Sequence, residues 1–292
     1  MSTDKLFKVS SEWASKALIN KDKYKQMYSE SINDNERFWN KHGQRIDWIK
    51  PYSKIKDIKY SSKEVYIKWY YDGYLNVCAN CVDRHAKTDP NKIAIIWEGD
   101  DPNVSKKITY KELLENVSKT ANVLKTIGVK KGDRVTIYLT MIPELAYVML
   151  ACSRIGAIHS IIFGGFSAES IAGRINDCQS EFVVTADEGI RGNKIIPLKK
   201  IVDEALTKCK NVKKCLIIKR TGNQINFIKD RDIYYNDLLT SVDSVCDPEK
   251  MSSEDPLQIE YGPLHLRITC PQKKDDCQTG SMMTLAYDPG YE

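Results

Sequence analysis

Between Arg134 and Ile218, short continuous apolar runs alternate with stretches whose apolar residues recur every three or four positions. The runs Arg134–Leu139, His159–Phe163, Phe182–Thr185 and Lys213–Ile218 have the length and β-branched content of buried strands. The intervening stretches predict helices. One opens at Pro143 and buries Leu145, Val148, Met149, Cys152 and Ile155 before Gly156 ends it. Another opens at Ser167, a plausible N-cap residue type, with Glu169 in its first turn and Ile171, Ile175 and Cys178 on one face. A third runs from Pro197 to about Lys208. Upstream, Ile93–Trp97 and Ile108–Tyr110 read as strands, with a turn at Glu98–Pro102. Thr109 and Glu112 form a T-x-x-E capping box for a helix striped with Leu113, Val117, Ala121 and Leu124 and stopped at Gly128. Strand–helix alternation of this kind predicts an α/β fold with a mostly parallel sheet flanked by helices on both faces.

Residues 1–86 break the pattern. They are polar and lysine-rich with aromatic patches, and predict one or two surface helices over Tyr24–Trp39 that wrap the main body, with Trp39 and Trp48 packing onto it. The expected division is therefore a helical wrapping segment at 1–86, an α/β domain at 87–257, and a tail at 258–292 that is expected to be disordered.

Composition narrows the function classes. A hydrophobic share of 42% supports a real core, and a net charge of +5 over 292 residues is modest. No basic stripe or stacking module points to nucleic acid, and the pairs Lys130-Lys131, Lys199-Lys200 and Lys213-Lys214 read as solvated faces. No run approaches transmembrane length and no N-terminal stretch reads as a signal peptide, so no membrane association is expected. Nine scattered cysteines fit reduced thiols and a cytoplasmic location. Cys78-x-x-Cys81-x-x-x-His85 has ligand-like spacing, but no fourth ligand lies near it, and a packed helix accounts for it better than a zinc site. No metal site is assigned.

The stretch 161–200 carries the candidate chemistry. A buried run ends at Gly164-Gly165 and leads into a helix; a second run is followed by Arg191-Gly192-Asn193-Lys194, two cations around a flexible pair. Ligands of such units gather off the carboxyl ends of the strands, and a phosphate-bearing ligand suits the two cations. By itself the glycine turn is neither G-x-G-x-x-G nor a Walker A loop and fits an ordinary strand-to-helix connection. The basic loop fits phosphate binding and a solvated loop about equally. A dinucleotide-dependent oxidoreductase is disfavoured by the missing glycine fingerprint and acidic ribose partner.

Taken together, particular residues resemble the AMP-forming acetate–CoA ligase family. They are Trp69, Gly73, Leu75-Asn76, Asn80, Asp83-Arg84-His85, Ile108-Thr-Tyr110, Met141-Ile-Pro143-Glu144, Arg154-Ile-Gly-Ala157, Phe163-Gly-Gly-Phe-Ser167, Thr185-Ala-Asp-Glu-Gly189, Arg191-Gly192 and Ile196-Pro-Leu-Lys-Lys200. The resemblance runs from about Tyr24 to Pro256, and most of it is shared with propionate-using relatives. It implies the first half of the large domain of an adenylate-forming enzyme, which joins a short carboxylate to ATP, with magnesium, and passes the acyl group from the adenylate to coenzyme A. It further implies that Arg191, Gly192, Asn193 and Lys194 meet the coenzyme A nucleotide phosphate, with Phe163, Gly164, Gly165, Ile196 and Pro197 as the wall along the nucleotide. Lys194 stands where the family usually has arginine and Asn193 where glycine is common, which implies weakened contact.

After Leu257 the family pattern stops. The Thr/Ser/Gly-rich phosphate loop, the acetate pocket, the magnesium motifs and the lid with its catalytic lysine have no counterpart in residues 258–292. A frameshift or abnormal gene end would produce this, leaving an N-terminal piece of the enzyme. No catalytic residue is assigned, ATP and magnesium sites are not expected in this chain, and the chain alone is expected to be inactive. The alternatives are a non-catalytic module binding coenzyme A or a partner chain, and a propionate–CoA ligase.

Overall fold

The computed structural model describes residues 7–192 and 194–261, together with the backbone of 282–283. Its contacts divide the chain into two units that meet at Ile46/Asp47. Residues 47–86, grouped with the N-terminal segment on sequence grounds, thus belong with the α/β unit. The expected disorder beyond 257 falls largely outside the described residues.

Among its described residues the first unit holds three helices: α1 (Ser11–Lys16), α2 (Lys21–Asn33) and α3 (Asn35–Gly43). Ser10 and Asn20 cap α1 and α2 by accepting from the amides of Trp13 and Lys23. In α3, Trp39 meets Phe38 edge-on at 5.2 Å.

The second unit opens with an antiparallel hairpin of β1 (Lys56–Tyr60) and β2 (Val65–Trp69). A short β3 (Tyr74–Leu75) follows, then a π-helical turn at Ala79–Asp83 leading into α4 (Arg84–Thr88). Trp48 packs here with Tyr52 and Tyr70, its ring centroid 5.0 and 5.7 Å from theirs. The β1–β2 hairpin has no strong apolar alternation, which is why its pattern went unread. Cys78 is fully buried beside Arg154, whose Nη1 lies 3.5 Å from Sγ, and Arg154 grips Asp83 through two bonds of 2.7 and 2.9 Å. Burial pushes the Cys78 thiol up to about 12, and His85 stacks on Tyr110. The Cys-x-x-Cys-x-x-x-His spacing here serves packing around a buried ion pair.

A second hairpin, β4 (Ile93–Glu98) and β5 (Ser105–Thr109), leads into α5 (Tyr110–Thr126). Its capping box forms as expected: Glu112 N–H donates to Thr109 Oγ1, and Thr109 N–H donates to the Glu112 carboxylate at 2.8 Å. Leu113, Val117, Ala121 and Leu124 are all buried.

The centre of the unit is a sheet of β6 (Arg134–Leu139), β7 (Ile158–Phe163), β8 (Phe182–Ala186), β11 (Lys214–Ile218), β12 (Asp232–Tyr234) and β14 (Gln258–Ile259). These run parallel in the order β12-β11-β8-β6-β7-β14, and the 282–283 backbone pairs antiparallel with β14. Residues 258 and 259 therefore continue the sheet. Helices α6 (Pro143–Ile155), α7 (Ala168–Cys178), α8 (Leu198–Leu206) and α9 (Tyr235–Leu239) connect the strands, and β13 (Met251–Ser252) pairs with β3. The Ser167 cap forms, accepting from Ser170 N–H. The seven described cysteines are all free thiols.

Two local features depart from the sequence reading. The basic loop at Arg191–Lys194 is the turn of a hairpin between β9 (Gly189–Arg191) and β10 (Lys194–Ile196), with Arg191 opposite Lys194. Three-residue strands leave no periodicity to read. The Lys199-Lys200 pair is not a solvated face. Lys200 is exposed, but the Lys199 side chain is 1% exposed and reaches Asp203 at 2.7 Å and Asp232 at 2.8 Å. Arg231 closes the cluster by pairing with the same two carboxylates. Two cations and two anions balance around the buried Lys199 and Asp232, which is the condition for charges to be tolerated inside.

Candidate functional site

Sheet order reverses direction at β6: the chain passes from β6 to its neighbour β7 on one side, then over to β8 on the other. Parallel α/β sheets open a crevice off the strand ends at such a point. Here the crevice is a cleft of ≈ 310 Å³. The end of β6 supplies Thr140 and Met141, β7 supplies Phe163 and Gly164, β9 supplies Ile190 and Arg191, and the residue two past β11 is Arg220. The β4–β5 hairpin closes one side with Trp97, Glu98, Gly99 and Asp100.

The turn after β7 is shaped by close contact. A Cβ on Gly164 would lie 2.9 Å from the Leu139 carbonyl oxygen and 3.1 Å from Thr140 Cγ2, so only glycine lets the end of β7 lie against the end of β6. Phe166 N–H and Gly165 N–H both donate back to the Phe163 carbonyl, and Tyr138 Oη donates to the Phe166 carbonyl at 3.0 Å. The glycine pair thus holds the Phe163 ring at the cleft mouth, 49% exposed.

Both arginines of the cleft lie on aromatic rings. The Arg191 guanidinium sits 5.2 Å from the Phe163 centroid, and that of Arg220 sits 5.2 Å from the Trp97 centroid. Trp97 is itself fixed, its Nε1–H donating to the Met141 carbonyl at 2.8 Å. Neither arginine pairs with a carboxylate among the described residues. A guanidinium held over a ring without a carboxylate partner keeps N–H donors for an anion.

Of the residues singled out in the sequence, Phe163, Gly164 and Arg191 come together in the cleft wall. Gly165 stands beside them: a Cβ there would be 3.8 Å from Arg191 Nη1. Gly192 makes the hairpin turn with φ +55, and Asn193 lies outside the described residues. Lys194 starts the outer strand and is exposed, while Ile196 pairs with Gly189 and packs on the core, and Pro197 leads into α8; none of these three lines the cleft. Trp97, Thr140 and Arg220 were missed. Arg220 had one faint signal, a cation placed just beyond an apolar strand.

Among the described residues no group of three or more histidine, cysteine or acidic side chains could hold a metal ion, and no helix is long and apolar enough to cross a membrane. The cleft's charged donors are the guanidinium groups of Arg191 and Arg220, a donor type that suits phosphate.

Residues 82–262 match the family model described as AMP-binding enzyme, and residues 24–81 match that of the acetyl-coenzyme A synthetase N-terminus. The chain belongs to the AMP-binding enzyme family. Similar curated proteins include acetyl-coenzyme A synthetases of Parvibaculum lavamentivorans, 54% identical over 259 residues, and of Rhizobium rhizogenes, 53% identical over 263 residues. Each alignment takes in 89% of this chain, and the chain spans about 40% of the length of these relatives. A solved acetoacetyl-CoA synthetase from Streptomyces lividans superimposes with a TM-score of 0.73 at 22% identity, covering 85% of this chain and 38% of that one. At that identity the match speaks to the fold, an α/β architecture of parallel strands flanked by helices.

Proposed function

We propose that this chain is part of an acetate–CoA ligase and that the Phe163–Gly164–Arg191 wall takes the phosphate-bearing nucleotide end of coenzyme A. The single observation that carries this reading is the placement of Arg191, stacked on Phe163 at the strand ends of a parallel sheet with no carboxylate partner among the described residues. The likeness to acetyl-coenzyme A synthetases supports an acetyl group as the acyl substrate, and in this reading the carboxylate is activated with ATP and magnesium. In this reading the chain's own residues bind and orient the thiol carrier: Arg191 donates to phosphate, Phe163 offers a flat apolar face, and Gly164 lets the ligand approach the backbone. In this reading the cleft residues bind coenzyme A and take no part in adenylating the carboxylate.

Isothermal titration of the chain with coenzyme A, beside ATP–pyrophosphate exchange with acetate, tests this. Binding that Arg191→Ala weakens by roughly tenfold, the loss expected for a charge-assisted contact, together with no exchange, supports the reading. Absence of coenzyme A binding overturns it, and exchange by the purified chain overturns the assignment of adenylation to other segments.

A further inference from the structure

The cleft holds a second cation built in with more machinery than the first. Strands β8 and β11 are paired in register, with Ala186 opposite Ile218, so the residues just past each strand lie side by side. Asp187, 2% exposed, turns its carboxylate onto the loop that follows β11. It accepts from the backbone amides of Arg220 at 2.8 Å, Thr221 at 3.2 Å and Gly222 at 2.8 Å, and from Glu188 N–H at 2.7 Å. The Glu188 carboxylate accepts from Thr221 Oγ1 and Asn223 Nδ2, each at 2.7 Å. The backbone of 220–223 is thereby clamped, and the Arg220 side chain leaves it toward the Trp97 ring.

A solvent-facing arginine needs no such clamp. Two buried or half-buried carboxylates are committed to the loop's backbone and side chains, yet neither pairs with the Arg220 guanidinium. Its Cζ lies 5.2 Å from the centroid of an indole that is hydrogen-bonded in place, so the rotamer freedom normally lost on binding an anion is already reduced. Arg191 lies on another wall of the same cleft, presented by β9. Two guanidinium groups suit a dianionic phosphate monoester better than a singly charged diester. The exposed carboxylates of Glu98 and Asp100 on the rim disfavour a long polyanion and leave room for one compact phosphate.

We propose that Arg220 is a further ligand-binding residue of this cleft, recognising a terminal phosphate monoester of the nucleotide together with Arg191, and that Asp187 is the residue that positions it. This rests on the reading of the cleft as a coenzyme A site, whose ligand carries such a group on its ribose.

Titrations of the chain with coenzyme A and with 3′-dephospho-coenzyme A read the proposal directly. The unmodified chain prefers coenzyme A by roughly tenfold or more, Arg220→Gln lowers affinity for coenzyme A by roughly tenfold while changing that for the dephospho form less than about twofold, and Arg220→Lys keeps part of the preference. Asp187→Asn lowers the preference in the same direction while Arg220 is intact. Unchanged coenzyme A affinity in Arg220→Gln, or an equal loss toward both ligands, overturns the proposal and leaves the coenzyme A reading standing. No binding of coenzyme A by the unmodified chain overturns both.

Discussion

Asp187→Ala removes a carboxylate that closes the gap between two strand ends, and the loss is large enough to measure. Four backbone amides donate to it. Hydrogen bonds to a charged acceptor contribute about 1.5–3 kcal/mol each where water cannot replace them. Gly222 is exposed, so water takes over its bond; Glu188 and Arg220 are half-buried and make two of the shortest contacts. Counting those two at the lower figure gives a loss of about 3 kcal/mol, in the range expected when a buried polar network is broken. Urea unfolding followed by tryptophan fluorescence reads it as a lower midpoint at constant slope. Asp187→Asn keeps an acceptor oxygen and loses the charge, so its loss is about half as large. A midpoint shift in Asp187→Ala equivalent to less than about 0.5 kcal/mol, the range of unremarkable surface substitutions, would falsify the view that this carboxylate pins the 220–223 loop.

His159, 2% exposed in β7, is held neutral: burial pushes its pKa down to about 4, partly offset by the Gln258 side chain. Between the unfolded value of about 6.5 and this folded value the unfolded chain binds the extra proton, so stability is present above pH 6.5 and is lost as pH falls toward 4, by about 2 kcal/mol at pH 5. Unfolding free energies of the chain and of His159→Gln measured from pH 7.5 to 5 converge as the pH drops; parallel curves would show that His159 does not carry the dependence. In the Lys199 cluster, Lys199→Met leaves two carboxylates against one cation and costs about 3–5 kcal/mol, whereas Lys199→Met/Asp232→Asn restores the balance and is less destabilised than the single variant. Chemical denaturation of the three chains checks the coupling, and a double variant weaker than the single one contradicts it.

What the sequence made legible were elements with enough length to show a period. Four of the sheet's strands and the helices α5, α6 and α7 were visible because each buries one apolar stripe or a continuous run against the others, and the Thr109–Glu112 box and the Ser167 cap are local contacts of neighbours three apart. The short strands β9, β10, β12 and β14 were not, since two or three residues carry no periodicity and are held by their partners' register. Lys199 was misread for a related reason: its partners Asp203, Asp232 and Arg231 reach it only after the sheet has formed, and a lysine pair by itself looks solvated. Of the cleft's lining residues, only Phe163, Gly164 and Arg191, which are close in sequence, were singled out beforehand. Trp97 and Arg220 are 123 positions apart and meet only because a hairpin folds over the strand ends.

The cleft draws its walls from β6, β7, β9, the end of β11 and the β4–β5 hairpin, all within the unit that begins at Asp47. Each cation is fixed twice, by backbone register and by a nearby ring, so the geometry proposed to meet a phosphate is set by the sheet and does not wait for a ligand. Pre-organisation of this kind favours slow release over fast capture, because it lowers the ordering cost of the bound state while the rim carboxylates Glu98 and Asp100 offset long-range attraction. On the proposed reading, coenzyme A binding depends on the strand ends of this sheet and is separable by assay from acyl activation. The two assays are independent on that reading: titration interrogates the proposed roles of Arg191 and Arg220, and pyrophosphate exchange interrogates carboxylate activation.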